Sequence, residues 1–388
     1  MKKILAATSI RSDYDLMSEL YLKLHADTQI ELKLLVSGAH LADAFGSSGS
    51  LIEQDGLDIL LRIESLINSN SKSSRIKSAA IYMLSAIDAV AQYDPDLMLY
   101  AGDREDALVS AMIGGYLGIP TVHFFGGDHV ADGHIDNPVR HAVSKLSTIH
   151  MVSLEQHRQR LLLMGEHPER IFNIGSIALD RFVRHVAMSK SELRQALNIE
   201  AGFEDFALMI FHPLKESGEN AGEAFETVLK SLKGRGICTF VSAPNTDPGN
   251  QEIFDVIERY RTESCFYFYK NLPRDLFLSI YKHSQFLIGN SSSGILEAAS
   301  VPIPAINVGL RQVGRFADPN VVFCGVSQDE IEAAIDLACS PVFLQTLSGL
   351  NNSYGRGDSV RRALALIKTE DFKSSLLKKE DILNLREL

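Results

Sequence analysis

Short apolar runs alternate with longer stretches of helical periodicity along almost the whole chain. Lys3–Thr8 and Glu31–Ser37 read as strands flanking a helix over Tyr14–His25, and a polar, Gly/Ser-rich stretch from Ala42 to Asp55 reads as a loop. Arg75–Gln92 is helical in period, Leu97–Ala101 is a strand, and Asp106–Leu117 is a helix ended by Gly118 before Pro120. Strands at Thr121–Phe125, Thr148–Ser153 and Ile171–Ile174 are separated by helices at Arg140–Leu146 and Leu154–Met164. A second series begins near residue 180, with strands at Phe206–Phe211, Ile237–Ala243, Cys265–Tyr269, Gln285–Gly289 and Pro304–Asn307.

Strands that alternate with helices in this way predict parallel sheets, because parallel strands need a helical crossover. The expectation is an α/β fold of two doubly wound Rossmann-like domains, alike in architecture but without an internal sequence repeat. The domains fall at residues 1–178 and 179–365, with 366–388 as a helical tail; helices from Ser359 onward can pack back on the first domain. Ligands of open parallel sheets bind at the carboxyl ends of the strands. Two such domains facing one cleft would gather Arg11, Asp103, Arg104, the loop after Phe125, His212 and the loop after Gly289. No GxGxxG follows the first strand (it reads Ala6-Ala7-Thr8-Ser9-Ile10-Arg11), which argues against a dinucleotide dehydrogenase.

Composition narrows the class. At 388 residues the chain is long enough for two cores, and 45% hydrophobic with 22% charged residues is globular. The 38 basic against 49 acidic side chains give −11, which argues against a nucleic-acid partner but leaves a nucleotide ligand open. Cys238, Cys265, Cys324 and Cys339 show no CxxC pair or metal spacing and read as reduced thiols of a cytoplasmic protein. No signal peptide is visible, and no apolar run approaches the roughly 20 residues of a membrane span.

The most informative stretch is Gly289-Asn290-Ser291-Ser292-Ser293-Gly294-Ile295-Leu296-Glu297, between a buried strand and the first turns of a helix. Free N–H groups, a helix dipole and three serine hydroxyls suit a diphosphate, and Glu297 suits a sugar hydroxyl. Plain helix capping explains the same residue types, since Asn and Ser favour that position. Arg11 reads either as a solvated side chain or as a phosphate fork. Asp103-Arg104 reads either as a surface pair or as a proton acceptor beside a leaving-group contact. His123–Asn137 holds three Asp and three His, but its spacing matches no standard zinc motif, so acid–base work is the expected use and no metal. His212, before Pro213, stands at a third strand end.

Taken together, Gly102-Asp103-Arg104, Gly126-Gly127, Ile135-Asp136, Arg140–Ser147, His212-Pro213 and Gly289–Glu297 resemble the UDP-N-acetylglucosamine 2-epimerases. Asn307–Arg315 and Tyr354-Gly355-Arg356-Gly357-Asp358 agree in order, so the resemblance covers nearly the whole chain. Asp103-Arg104 and Arg311-Gln312 with Arg315 look like the hydrolysing branch of sialic-acid-type pathways.

The resemblance implies a GT-B-type fold without cofactor, a UDP-sugar substrate, UDP held by the C-terminal domain, and dimers or tetramers; the helix around Ala79–Val90 offers an interface. It also implies elimination of UDP followed by addition of water. Asp103, Asp136, His212 and Asp128 would be catalytic; Arg11, Arg104, Ser291, Ser292, Ser293, Glu297 and Arg311 would bind substrate.

One departure stands out. The family's His-Ile-Glu-Gly-Gly-Glu is here His123-Phe124-Phe125-Gly126-Gly127-Asp128, so an expected carboxylate is Phe125. The loop is also one residue longer, with His129 and His134 extra, and Asp15-Leu16 stands where relatives often carry Ser-Lys. Three outcomes stay open: Asp128, His129 or Asp132 takes over the role; the pocket takes a 2,4-diacetamido-trideoxy sugar; or epimerisation gives way to hydrolysis or binding alone. A GT-B glycosyltransferase is the remaining alternative.

Overall fold

The computed structural model describes residues 1–42, 48–69, 73–130, 135–199, 203–213, 220–244, 249–270 and 272–379. The chain packs as two compact units. The first comprises Met1–Asp128, His134–Arg181 and Tyr354–Leu388; the second comprises Phe182–Ser353 with His129–Gly133. The chain thus returns to the first unit at Tyr354, earlier than the expected start of a tail at residue 366.

In the first unit the strands are β1 (Lys2–Thr8), β2 (Ile30–Ser37), β3 (Ile59–Ile63), β4 (Leu97–Ala101), β5 (Thr121–Phe124), β6 (Ile149–Val152) and β7 (Ile171–Asn173). They form one parallel sheet in the order β3-β2-β1-β4-β5-β6-β7. Around it lie α1 (Arg11–His25), α2 (Gly49–Gln54), α3 (Ser74–Tyr93), α4 (Glu105–Leu117), α5 (Asp136–Leu146) and α6 (Glu155–Leu163).

Alternation along each strand divides the core, since successive side chains point to opposite faces. Ile4 and Ala6 join Leu97, Leu99, Tyr14 and Met17 on one face, whereas Leu5 joins Met98, Tyr100, Tyr82 and Val90 on the other. A sheet buried on both faces explains why its strands are apolar throughout.

The linking helix α7 (Leu179–Arg184) leads to α8 (Lys190–Ala196) and the second sheet. That sheet contains β8 (Phe206–Ile210), β9 (Cys238–Ser242), β10 (Phe266–Tyr269), β11 (Leu287–Gly289), β12 (Ala305–Val308) and β13 (Val321–Cys324), all parallel, in the order β10-β9-β8-β11-β12-β13. Its helices are α9 (Ala221–Gly234), α10 (Asn250–Tyr260), α11 (Arg274–His283), α12 (Ser293–Leu296), α13 (Gln328–Cys339) and α14 (Pro341–Thr346). These are the two doubly wound sheets that the alternation predicts.

Finally, α15 (Ser359–Thr369) buries Val360, Ala363 and Ile367 in the core that α1 covers. Its first turn is capped from a distance: Ser359 N and Val360 N donate to the fully buried Asp180 carboxylate at 2.9 and 3.1 Å.

Both strand orders reverse direction once, between β1 and β4 and between β8 and β11. At such a switch point adjacent loops diverge to opposite faces and leave a crevice at the carboxyl ends. Each sheet carries its unusual loops there.

Candidate active site

In the first unit, Gly102 (φ +88°) turns the chain off β4 and releases Asp103 and Arg104 at the head of α4. The turn is held from below by His123 on β5. Its Nε2 lies 2.8 Å from the Gly102 carbonyl and its Nδ1 3.1 Å from Ser144 Oγ. Burial drives the His123 pKa down to about 3, so the ring is neutral; a carbonyl can only accept, so Nε2 carries the proton.

Asp103 accepts from Arg140 Nη2 on α5 and not from its neighbour Arg104, which is exposed. The Arg140 side chain is only 5% exposed, and its Nη1 lies 3.7 Å from Asp128. Burial disfavours that guanidinium charge, but Asp103, Asp128 and Asp136 outweigh it and hold the pKa above its ordinary value. Asp128 also lies 3.4 Å from His157 Nε2. Asp136, in the first turn of α5, lies 3.3 Å from Arg75 Nη2, and Arg75 is fixed in turn by a two-pronged bond to Glu105. Buried Arg140 and half-exposed Arg75 thus gather the three carboxylates that the sequence proposed. Asp132 and His134 lie outside the described residues, and His129 is assigned to the second unit.

Phe125 is no longer part of β5. Its φ is +65°, a left-handed conformation that is costly for a bulky side chain. Gly127 follows at φ +78°, where a Cβ would meet the His157 carbonyl at 2.3 Å. Phe125 lines a cavity of about 110 Å³ at the β1/β4 switch point, together with Thr8, Ser9, Asp103 and Asp106.

Arg11 follows β1 as the sequence placed it. It is the first residue of α1, which begins before Tyr14; it is 41% exposed and pairs with Asp15 at 3.4 Å. The loop before it is closed by Asp13, which accepts from Ser9 N and Ile10 N at 2.9 and 3.3 Å, with buried His40 behind Thr8.

In the second unit, His212 follows β8 and the serine loop follows β11, side by side at the other switch point. Gly289 (φ +138°) is required there, since a Cβ would come within 2.1 Å of the Ile210 carbonyl. Asn290, fully buried, ties the two loops together. Its Oδ1 accepts from His212 N and its Nδ2 donates to His212 O, each at 2.8 Å. The Asn290 carbonyl accepts from Arg311 Nη1 at 3.1 Å and Gln312 Nε2 at 3.0 Å. Ser291 Oγ accepts from Ser293 N at 3.3 Å, and Ser293 Oγ donates to Glu297. Burial pushes the Glu297 pKa up to about 6 against that hydrogen bond.

The helix expected after this loop is only the four residues of α12, and Glu297 is its C-cap. A macrodipole needs length, so the loop's N–H and hydroxyl groups, not a long helix, are what it offers an anion.

Arg140, Arg75, His157, Asp106 and Asn290 are absent from the residues that sequence reasoning proposed. For Arg140 a signal existed: it lies on the stripe of α5 that buries Val143 and Ser144, where an arginine must have partners. Among the described residues, no group of three or more His, Cys, Asp or Glu is arranged to hold a metal ion, and no helix is long and apolar enough to cross a membrane.

Two doubly wound parallel sheets of seven and six strands are an α/β architecture of the GT-B type. The family model described as UDP-N-acetylglucosamine 2-epimerase matches residues 22–368. The chain therefore belongs to the UDP-N-acetylglucosamine 2-epimerase family. It is 32% identical to the UDP-N,N'-diacetylbacillosamine 2-epimerase (hydrolyzing) of Legionella pneumophila, over 98% of this chain and 99% of that one. It is 32% identical to the GDP/UDP-N,N'-diacetylbacillosamine 2-epimerase (hydrolyzing) of Campylobacter jejuni, over 83% and 84% of the two chains. In fold it is similar to the UDP-GlcNAc 2-epimerase from Neisseria meningitidis, solved bound to UDP-GlcNAc, with a TM-score of 0.81, 16% identity, and coverage of 95% of this chain and 100% of that one.

Proposed function

We propose that this protein is a hydrolysing 2-epimerase that releases UDP from a UDP-2-acetamido sugar. UDP-N-acetylglucosamine and a UDP-2,4-diacetamido-trideoxy sugar are the two candidate substrates, and the names of the two 32%-identical relatives favour the second. The observation that carries the reading is the pair Asp103 and Asp128 on one buried arginine, at the switch point of a sheet in this family.

The first step takes the C2 proton on a carboxylate. The C–H electron pair becomes the C1=C2 double bond while the C1–O bond breaks, and its pair leaves with the β-phosphate of UDP. Water then adds at C1 through oxygen, its proton goes to a base, and a proton returns to C2 on the other face. Arg140 keeps Asp103 and Asp128 close together. Asp128 supplies the carboxylate that Phe125 lacks, and His157 beside it offers a proton path. Asp136 is a third acid–base group and His212 a fourth.

Ser291, Ser292 and Ser293 take the diphosphate, and Glu297 takes a ribose hydroxyl. Arg104, Arg11 and Arg311 supply positive charge for the departing oxygen or for sugar contacts. Phe125 replaces a charged group by an aromatic wall, which suits a sugar whose C6 is a methyl. We also propose a homodimer or homotetramer in the cytoplasm, with no cofactor.

Proton NMR in D₂O with each sugar nucleotide tests the reading. A 2-epimerised free sugar carrying deuterium at C2, together with UDP, is expected. UDP release with C2 unlabelled and unepimerised would reduce the protein to a hydrolase.

A further inference from the structure

The cavity beneath Phe125 holds a carboxylate for which the proposed chemistry has no use. At about 110 Å³ it has room for a multi-atom group, since one water needs only about 15 Å³. Asp106 lines it, in the first turn of α4 and three residues after Asp103. Among the described residues, no Lys, Arg or His nitrogen lies within ion-pair distance of Asp106. Ser9 and, from further off, Arg104 favour its charged form. Burial, with Glu105 adding to it, pushes its pKa up to about 6. Two carboxylates on one wall are therefore held differently: Asp103 by a buried arginine, Asp106 by none.

The rest of the lining is of two kinds. Ser9, Ser12 and Ser110 bring hydroxyls, while Leu16, Ala107 and Phe125 bring apolar surface. Ser9 and Ser110 give their protons to Asp13 and to the Asp106 carbonyl, which leaves Ser12 to donate. An acceptor, a hydroxyl donor and an apolar wall are the complement of an N–H, a carbonyl and a methyl group. Those three occur together in an acetamido group.

We propose that Asp106 is a specificity-determining residue whose carboxylate accepts the N–H of a sugar acetamido group seated in this cavity. The inference rests on the UDP-2-acetamido-sugar reading above. The group can be the C2 acetamido, common to both candidate substrates, or the C4 acetamido, present only in the 2,4-diacetamido sugar. A site built to satisfy an amide N–H rejects a substrate that lacks it, because its own acceptor is then left buried without a partner.

Wild type, Asp106→Leu and Asp106→Asn are compared on UDP-N-acetylglucosamine and UDP-2,4-diacetamido-2,4,6-trideoxyglucose by UDP release, with calorimetric binding of UDP as the control for folding. Asp106→Leu should raise KM at least tenfold while UDP binds as in wild type; Asp106→Asn keeps an acceptor oxygen and should stay within about threefold of wild type. An increase on both sugars assigns the C2 group, and an increase confined to the diacetamido sugar assigns C4. Unchanged KM on both sugars in Asp106→Leu overturns the inference while leaving the epimerase reading intact.

If wild type releases UDP from neither sugar, the epimerase reading fails, and equilibrium binding of the same sugars decides the inference. Tighter binding than UDP in wild type, lost in Asp106→Leu, supports it; no gain over UDP in wild type sinks it.

Discussion

Single side chains divide here into those that do chemistry and those that hold them. Asp103 accepts from buried Arg140 and is the proposed proton acceptor, so Asp103→Asn should lower kcat at least a hundredfold with UDP affinity unchanged, as read by UDP release and calorimetry. Asp106 makes a separate prediction through pH. Its folded pKa of about 6 is raised above the ordinary value of 3.8, so the folded state binds its proton more tightly. That contribution is fully present below about pH 4 and lost as pH rises through 6. Asp106→Asn mimics the protonated form and should exceed wild type in stability above pH 6, by up to roughly 3 kcal/mol, with the gap closing below pH 4. Denaturant melts at pH 4 and pH 7.5 measure it. His123 has the opposite sign: depressed to about 3, it destabilises the fold as pH falls from 6.5 toward 3.

At the scale of elements, the loops after β5 and β11 carry residues of the proposed site, and each depends on a backbone state that no residue periodicity reports. Phe125 was legible as a departure from the family pattern; its left-handed φ, which takes it off the strand, was not. Phe125→Glu should raise turnover of UDP-N-acetylglucosamine relative to the diacetamido sugar if the wall selects against a polar C6. An unchanged ratio of kcat/KM would remove Phe125 from specificity. Gly289→Ala places a methyl against the Ile210 carbonyl and should cost several kcal/mol or prevent folding, visible in expression and in thermal melts. Strands β3 and β13 escaped the reading although both carry short apolar runs, because they are half-exposed edge strands whose burial does not alternate as in a covered sheet. The edge strand β10 was found because its aromatic run Phe266–Tyr269 has strong β preference.

At the scale of the molecule, one contact shows how far the sequence's own logic reaches. Asp180 caps α15 across 179 positions of chain, and Asp180→Ala should cost about 2 kcal/mol by leaving two N–H groups without an acceptor, measured by chemical denaturation. The alternation of strand and helix determined by itself that two parallel sheets form, because period and crossover length are local properties. The motif residues likewise determined the family, and with it the proposal of Asp103, Asp128 and Asp136 as site carboxylates. Tertiary structure alone decided their partners. Strand order created the switch points, a buried arginine from α5 took Asp103 away from its sequence neighbour Arg104, and Asn290 bound His212 across 78 positions. Those are contacts between residues far apart in the chain, set by which strands lie side by side, and no local pattern encodes them.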